Sequence, residues 1–340
     1  MTSHTRAGIL GAGYISDYHI EGLIAAGAKV VSVCSRCEQK AAAKAAQHGI
    51  DHHCTDPDEL LARSDIDLVV IATPDSTHEA LAVAAAKAGK AILLQKPMAR
   101  SSAEAARIVD TANQASVPLI VSFMHRYFEE VVAARDLLAK GTLGDVHMLR
   151  QRNATPGADW AGWFYDSAES GGVVMQLGVH GIDLVRFLFG EIEAVKGAAS
   201  SAKSVRMLAN GTTVKPDNED LAIATYRLHS GVLVTHEMSY REAAGTDRFR
   251  MEIYGARGTA WLRTELGALA LCIPAESHEW TVLSLPETTL GLRHHEHVLA
   301  MIRGESPVDS SAEDGIASLL VAEAIYRSAQ SGDWTSVHLE

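Results

Sequence analysis

The 340-residue sequence contains no run of lysine or arginine, and its formal net charge is −12. Nucleic acid and anionic membrane surfaces both select clustered basic side chains, so neither is expected as a partner. No segment approaches the roughly 20 apolar residues that a membrane helix needs. The start carries no signal-peptide pattern: Ala7–Leu10 is a short apolar stretch that runs straight into glycines. A cytoplasmic location is the resulting expectation. Internal repeats and low-complexity linkers are absent as well. Cysteine is scarce, with Cys34, Cys37, Cys54 and Cys272 only. The Cys34/Cys37 spacing, with His52, His53 and Cys54 nearby, is compatible with a zinc or redox site. The alternative, preferred here, is that Cys34 ends a buried strand and Cys37 sits in the following turn, with no metal.

Apolar residues make up 47% of the chain and charged residues 21%, a composition that supports a sizeable core. The length suits about two domains. In the first part, short apolar runs alternate with helical patterns. Ala7–Leu10, Lys29–Cys34, Asp67–Ala72, Ala91–Leu94 and Pro118–Phe123 read as strands. Helices lie between them: the first is closed by Gly27, the second stops at Gly49, a third covers Thr77–Ala88, and Ser101 to Glu104 is a capping box that opens the last. Continuous apolar strands alternating with helices mean a parallel sheet covered on both faces. The pattern changes after residue 123. Asp145–Arg152 begins a different register. Leu221–Leu228 and Val232–Tyr240 flank His229-Ser230-Gly231, and Phe249–Tyr254 and Thr259–Arg263 flank a Gly255–Gly258 turn, so two hairpins are expected. Leu292 to Gln330 returns to helical periodicity. The fold class is therefore α/β: a Rossmann domain over 1–123, then an α+β domain over 124–340 with an open, mostly antiparallel sheet and a helical tail.

Gly11-Ala12-Gly13-Tyr14-Ile15-Ser16 follows a strand and opens a helix. It is a Gly-x-Gly-x-x-Gly fingerprint with serine at the last position. Gly11 makes the tight turn, Gly13 lets the backbone approach a pyrophosphate, and the pyrophosphate sits on the helix N-terminus beside Tyr14 and Ile15. An acidic residue usually ends the second strand and takes the ribose 2′-hydroxyl of NAD. Here the strand ends Cys34-Ser35-Arg36, and the acid is missing. Ser35 and Arg36, helped by Lys40, suit a 2′-phosphate, so NADP is expected over NAD. The alternative leaves Arg36 stacked on adenine and both cofactors accepted.

Gln95-Lys96-Pro97 follows the strand Ala91–Leu94. A lysine at the carboxyl end of a parallel strand faces the crevice where ligands bind, and partial desolvation beside a cationic ring lowers its pKa. The second constellation lies in Gly171-Gly172-Val173-Val174-Met175-Gln176-Leu177-Gly178-Val179-His180-Gly181-Ile182-Asp183. Gln176, His180 and Asp183 share one face of an otherwise apolar helix. His180 is either a core histidine satisfied by Asp183 or a catalytic one aimed at substrate. Before this helix, Asp159, Trp160 and Trp163 form a candidate sugar-reading loop with Arg152; the bland reading has the tryptophans only packing the loop down. His294, His295 and His297 beside Glu296 are expected at the exposed start of a helix rather than at a metal.

The order of these pieces resembles the Gfo/Idh/MocA family: Gly-x-Gly-x-x-Ser, then Ala72-Thr73-Pro74 with His78 beyond, then Gln95-Lys96-Pro97, then Gly-Val-His180-Gly-Ile-Asp183, and a late Ala300-Met301-Ile302-Arg303-Gly304. The likeness covers nearly the whole chain. It implies an enzyme that oxidises or reduces a hydroxyl or carbonyl of a sugar, cyclitol or related small molecule, with no metal. It implies that Lys96 is the catalytic lysine, that His180 is the acid/base on the reacting oxygen, and that Asp183 helps shape the pocket. Thr73, Pro74, His78, Gln95 and Pro97 fall at cofactor positions, and His125-Arg126 at the substrate pocket. Two positions depart from the pattern. Gln95 replaces the usual Glu, and Gln176 replaces the Asp four residues before the histidine. Gln176 can still hydrogen-bond a substrate hydroxyl but does not titrate or stabilise an imidazolium by charge, which leaves Lys96 and His180 to handle the proton. The expected chemistry is hydride transfer between a carbinol carbon and a nicotinamide. Rival expectations are a glycosidase using transient oxidation, or a ligand sensor, which would not need the Lys–His pair. A homodimer or homotetramer through the second sheet is also expected.

Overall fold

A computed structural model describes residues 4–202, 204–243, 249–264, 267–307 and 310–338. The chain divides into two units: one runs to Met124 and takes in Thr288–Ile316, the other comprises His125–Glu287 and Ala317–Glu340. The stretch 288–316, which the sequence pattern places in the second domain, thus groups with the first.

In chain order the elements are β1 (Arg6–Leu10), α1 (Tyr14–Ala25), β2 (Lys29–Cys34), α2 (Glu38–His48), β3 (His52–Cys54), α3 (Pro57–Leu61), β4 (Leu68–Ile71), α4 (His78–Lys87), β5 (Ala91–Leu94), α5 (Ser102–Ala115) and β6 (Leu119–Val121). Then come α6 (Glu129–Ala139), β7 (Val146–Ala154), a π-helical turn (Val174–Gly178) leading into α7 (Val179–Phe189), β8 (Ile192–Ser200), β9 (Arg206–Met207), β10 (Thr213–Val214), β11 (Leu221–Leu228), β12 (Leu233–Ser239), β13 (Phe249–Gly255), β14 (Thr259–Thr264), β15 (Ala268–Cys272) and β16 (Thr281–Val282). The chain closes with α8 (Leu292–Ile302), α9 (Ala312–Ser331) and β17 (Thr335–Ser336).

The first unit holds a parallel six-stranded sheet of order β3-β2-β1-β4-β5-β6. Strand order reverses between β1 and β4, which opens a crevice at the carboxyl edge. Every residue of β4, β5 and β6 is buried, as helices on both faces require. Helix ends follow local chemistry. Gly27 and Gly49 adopt positive φ after α1 and α2. Ser101 caps α5 by accepting from the Glu104 amide, while the Glu104 carboxylate accepts from the Arg100 amide instead of closing a reciprocal box. Two short elements escape the sequence pattern. β3 is only His-His-Cys, and α3 is one turn capped by Asp56. The histidines of α8 correct an expectation: His294 and His295 are buried, because α8 packs on α1 and Gly22 leaves room for the His295 ring.

The second unit is built on a nine-stranded sheet of order β16-β15-β14-β13-β7-β12-β11-β8-β17. Only the β7–β12 pair is parallel among its pairings. Both expected hairpins are present. β11 and β12 alternate between buried and exposed residues, so one face is covered and the other open. On the covered face, Gly178 and Gly181 let the π turn and α7 lie close to Met238 and to Asn153 and His236. Beneath them runs a buried polar chain. The Tyr226 hydroxyl donates to His236 Nδ1 at 2.6 Å, and His236 Nε2 donates to Asn153 Oδ1 at 2.5 Å. Burial pushes His236 down to about 3, so it stays neutral. α6, unexpected from sequence, follows Phe128, which offers no side-chain cap.

Candidate functional site

In the first unit the fingerprint loop sits at the crevice edge. Gly11 has φ +113, and a Cβ there would run into the Ala72 carbonyl, so only glycine fits the turn. Its amide donates to the Cys34 carbonyl at 2.8 Å, which ties β1's exit to β2's. Gly13 precedes α1, is exposed, and has nothing within 4 Å of a Cβ built on it. The N-terminus of α1, with Tyr14 and Ile15 in its first turn, therefore faces open space. Helix N-termini leave their first amides without intrahelical acceptors, so this cradle fits a pyrophosphate. The third fingerprint position, Ser16, is fully buried and turns its hydroxyl back to the Gly13 carbonyl at 2.5 Å. A small residue is what that packing admits.

At the end of β2, Ser35 is half-buried and Arg36 and Lys40 are exposed. The Ser35 hydroxyl accepts from the Cys37 amide at 3.4 Å, a long bond that leaves the oxygen usable by a ligand. Cys37 immediately precedes α2 and turns its thiol to Gln39 Oε1, while Cys34 pairs in register with Cys54. Among the described residues, His52, Cys54 and Glu59 bring their ligand atoms within 4.8 Å of one another, and Cys37 is not one of them. Burial holds the Cys54 thiol above its ordinary range.

The Gln95-Lys96-Pro97 loop leaves β5 beside the loop that leaves β4. His78 joins the two: its Nδ1 lies 2.9 Å from the Pro97 carbonyl and its Nε2 2.9 Å from the Thr73 carbonyl. The ring is fully buried and burial lowers its pKa to about 4. His78, expected at a cofactor position, thus links the Thr73 and Pro97 loops, its neutral ring donating to one of the two carbonyls at a time. The Lys96–Pro97 peptide is cis. Lys96 is half-buried, and Gln95 is buried beneath it.

In the second unit, His180 occupies the first turn of α7 at 7% exposure. Its ring stacks on His125 with centroids 4.2 Å apart and planes 14° from parallel. Phe249 meets both rings edge-on, at 4.5 Å from His125 and 5.8 Å from His180. Arg126 reaches Asp183 through two bonds, Nε to Oδ2 at 2.9 Å and Nη2 to Oδ1 at 2.5 Å. Both side chains are buried, so this pair fixes the His125 turn onto α7. Asp183 therefore anchors Arg126 beside His125. Gln176 is buried and donates to Ser170 Oγ at 2.7 Å. The Trp160 and Trp163 rings pack on Phe164, at 5.9 and 4.3 Å, yet Trp160 stays 56% exposed beside exposed Asp159. Arg152, expected as a polar reader, pairs with Glu242 at 2.9 Å. Phe249 and Ser170 are neighbours that sequence reasoning missed, since neither belongs to a motif.

Two family models match the chain. Residues 5–123 match an oxidoreductase family with an NAD-binding Rossmann fold, and 131–261 match the Gfo/Idh/MocA C-terminal domain. Inositol 2-dehydrogenase 2 of Saccharopolyspora erythraea is 30% identical over 98% of this chain and 95% of its own. The chain belongs to the Gfo/Idh/MocA oxidoreductase family. A 1,5-anhydro-D-fructose reductase of Ensifer adhaerens is 28% identical to this Gfo/Idh/MocA enzyme over 96% of its chain and 97% of the relative's. Levoglucosan dehydrogenase in complex with NADH shares the fold with a TM-score of 0.91 at 22% identity, covering 99% of this chain and all of that one. No helix among the described residues of this Gfo/Idh/MocA chain is long and apolar enough to cross a membrane.

Proposed function

We propose that this oxidoreductase transfers hydride between a nicotinamide dinucleotide and a carbinol or carbonyl carbon of a sugar, cyclitol or sugar-derived small molecule. The observation that carries the reading is the retention of Lys96 at the carboxyl end of β5 and of His180 in the first turn of α7, the positions that handle the proton in the family. When bound, the nicotinamide supplies or accepts the hydride. Gly11, Gly13 and the first turn of α1 would hold its pyrophosphate, with Thr73, Pro74 and the Gln95-Lys96-Pro97 loop beside it. His180 takes or gives the hydroxyl proton. Lys96 supplies positive charge to stabilise the oxygen as that proton moves. Gln176, fixed by Ser170, orients a neighbouring hydroxyl without titrating. Trp160 offers an exposed ring for the apolar face of a sugar, with Asp159 as a polar reader.

Within that reading the cofactor is NADP rather than NAD, since Ser35 and Arg36 replace the acid that would repel a 2′-phosphate. The enzyme works in the cytoplasm as a homodimer or homotetramer. The open face of the second sheet supports assembly, because it exposes Leu221, Ile223 and Leu233. The test is a pair of variants. Lys96→Met and His180→Asn each lower kcat by about 10²–10⁴-fold while dinucleotide binding survives. Turnover within a factor of three of the parent in either variant contradicts the role given to that residue.

A further inference from the structure

Beneath Lys96 lies a continuous hydrogen-bond chain inside the first unit. The Lys96 amide donates to Gln95 Oε1 at 3.1 Å. That bond orients the Gln95 amide, so its Nε2 donates to His19 Nε2 at 2.7 Å and leans towards the Ser122 hydroxyl at 3.3 Å. His19 Nδ1 is 3.0 Å from His295 Nε2, and His295 Nδ1 is 2.7 Å from the Gly291 carbonyl. Both ends have a forced polarity. A backbone amide only donates, and a carbonyl only accepts. Working inward from Gly291, His295 carries its proton on Nδ1 and accepts at Nε2, so His19 carries its proton on Nδ1 and accepts at Nε2. Working inward from Lys96, the same assignment results. Every link is satisfied with two neutral imidazoles and an amide at position 95.

We propose that His19 and His295 are positioning residues that act through Gln95 to hold the Lys96 backbone, and that this pair selects Gln over Glu at position 95. The proposal rests on the catalytic reading of Lys96. A carboxylate at 95 would offer acceptors only. It would face the bare Nε2 of His19 unless the pair took up an extra proton. Both rings are fully buried, and Gly22 on α1 is what admits the His295 ring. The titratable groups packed on the pair are Tyr18 on α1 and His294 on α8, with Tyr18 Oη 3.0 Å from His294 Nδ1 and His297 acting on His294. Desolvation and mutual repulsion keep His19 well below its ordinary value, and desolvation keeps His295 at about 4. An imidazolium is therefore resisted in the chain as it stands.

The test reads ring nitrogens before activity. In ¹⁵N-histidine-labelled protein, with His19 and His295 assigned by single substitutions, both rings show the Nδ1–H tautomer and remain neutral down to pH 5.5. In Gln95→Glu a ring of the pair titrates between pH 6 and 8, and the pH profile of kcat gains a limb in the same window. His295→Gln preserves the donor–acceptor polarity, because an amide accepts from His19 and donates to Gly291. It keeps kcat within about threefold. His295→Leu, of similar bulk but without polarity, lowers kcat about tenfold at matched thermal stability. An Nε2–H tautomer in either ring, or equal kcat for the Gln and Leu variants, overturns the proposal whatever Lys96 does. The stated tautomers together with a fully active Lys96→Met would instead overturn the catalytic reading, and with it the purpose of the chain.

Discussion

At the residue scale, the motif residues were legible because each announces itself within a few positions. Gly11 is required by its own φ, Lys96 by its place after an apolar strand, and His180 by polarity on an apolar helix. Their partners were not legible. His19 meets His295 across 276 positions, and Arg126 meets Asp183 across 57. Side-chain pairing at that range leaves no local signal. The Arg126–Asp183 pair yields a stability prediction. Arg126→Met strands a buried carboxylate, which costs about 3–5 kcal/mol. Urea unfolding measures it, and Arg126→Met combined with Asp183→Leu recovers much of the loss. A second prediction concerns cofactor choice. Ser35→Asp places a negative charge where a 2′-phosphate is expected. It lowers kcat/KM for NADP by tenfold or more relative to NAD, and steady-state rates with both dinucleotides read the change.

At the element scale, periodicity found the apolar strands, the hairpins and the alanine-rich helices, and it missed β3, α3, α6 and the nine-residue strand β8. Strands β4 and β5 are unbroken apolar runs, and hairpins β11–β12 and β13–β14 carry alternation with glycine turns. β3 has no apolar run, α3 is a single turn, and α6 lacks a capping side chain, so each depends on its neighbours. The π turn before α7 was read as ordinary helix, since an extra residue in a turn leaves the composition unchanged. Its packing gives the third prediction. A Cβ at Gly181 would overlap Asn153 and His236, both buried in a hydrogen-bonded chain that has little room to shift. Gly181→Ala is expected to cost about 1–3 kcal/mol by overpacking. It also displaces His180, so kcat falls more than substrate KM rises. Thermal melts and steady-state kinetics on one preparation separate the two effects.

At the scale of the whole molecule, the buried neutral histidines set the response to acid. His78 and His295 sit near 4 and His236 near 3, all held down by desolvation, whereas an exposed histidine titrates near 6.5. Their pKa values are lower in the folded state, so the unfolded chain binds more protons as pH falls. The contribution is complete above about 6.5 and is lost as pH drops from there towards 4, at up to about 1.4 kcal/mol per pH unit for each group. Urea midpoints at pH 7.5 and 5.5 should differ in that direction, and His236→Asn, if it folds, should flatten the difference. The two-domain plan was legible as a change of pattern near residue 123. The return of 288–316 to the first unit was not, because α8 has helical periodicity in either assignment and only its packing on α1 places it.

The activity proposed for this enzyme is hydride transfer to or from a polyhydroxylated small molecule. Nicotinamide absorbance is its most direct readout, with purified protein presented with sugars, polyols and cyclitols together with NADP or NAD. Sustained reduction of NADP by at least one of these substrates, faster than with NAD and slowed about 10²–10⁴-fold in His180→Asn, is the predicted result. No absorbance change with either dinucleotide across the panel, in protein that carries tightly bound nucleotide from purification, would contradict it.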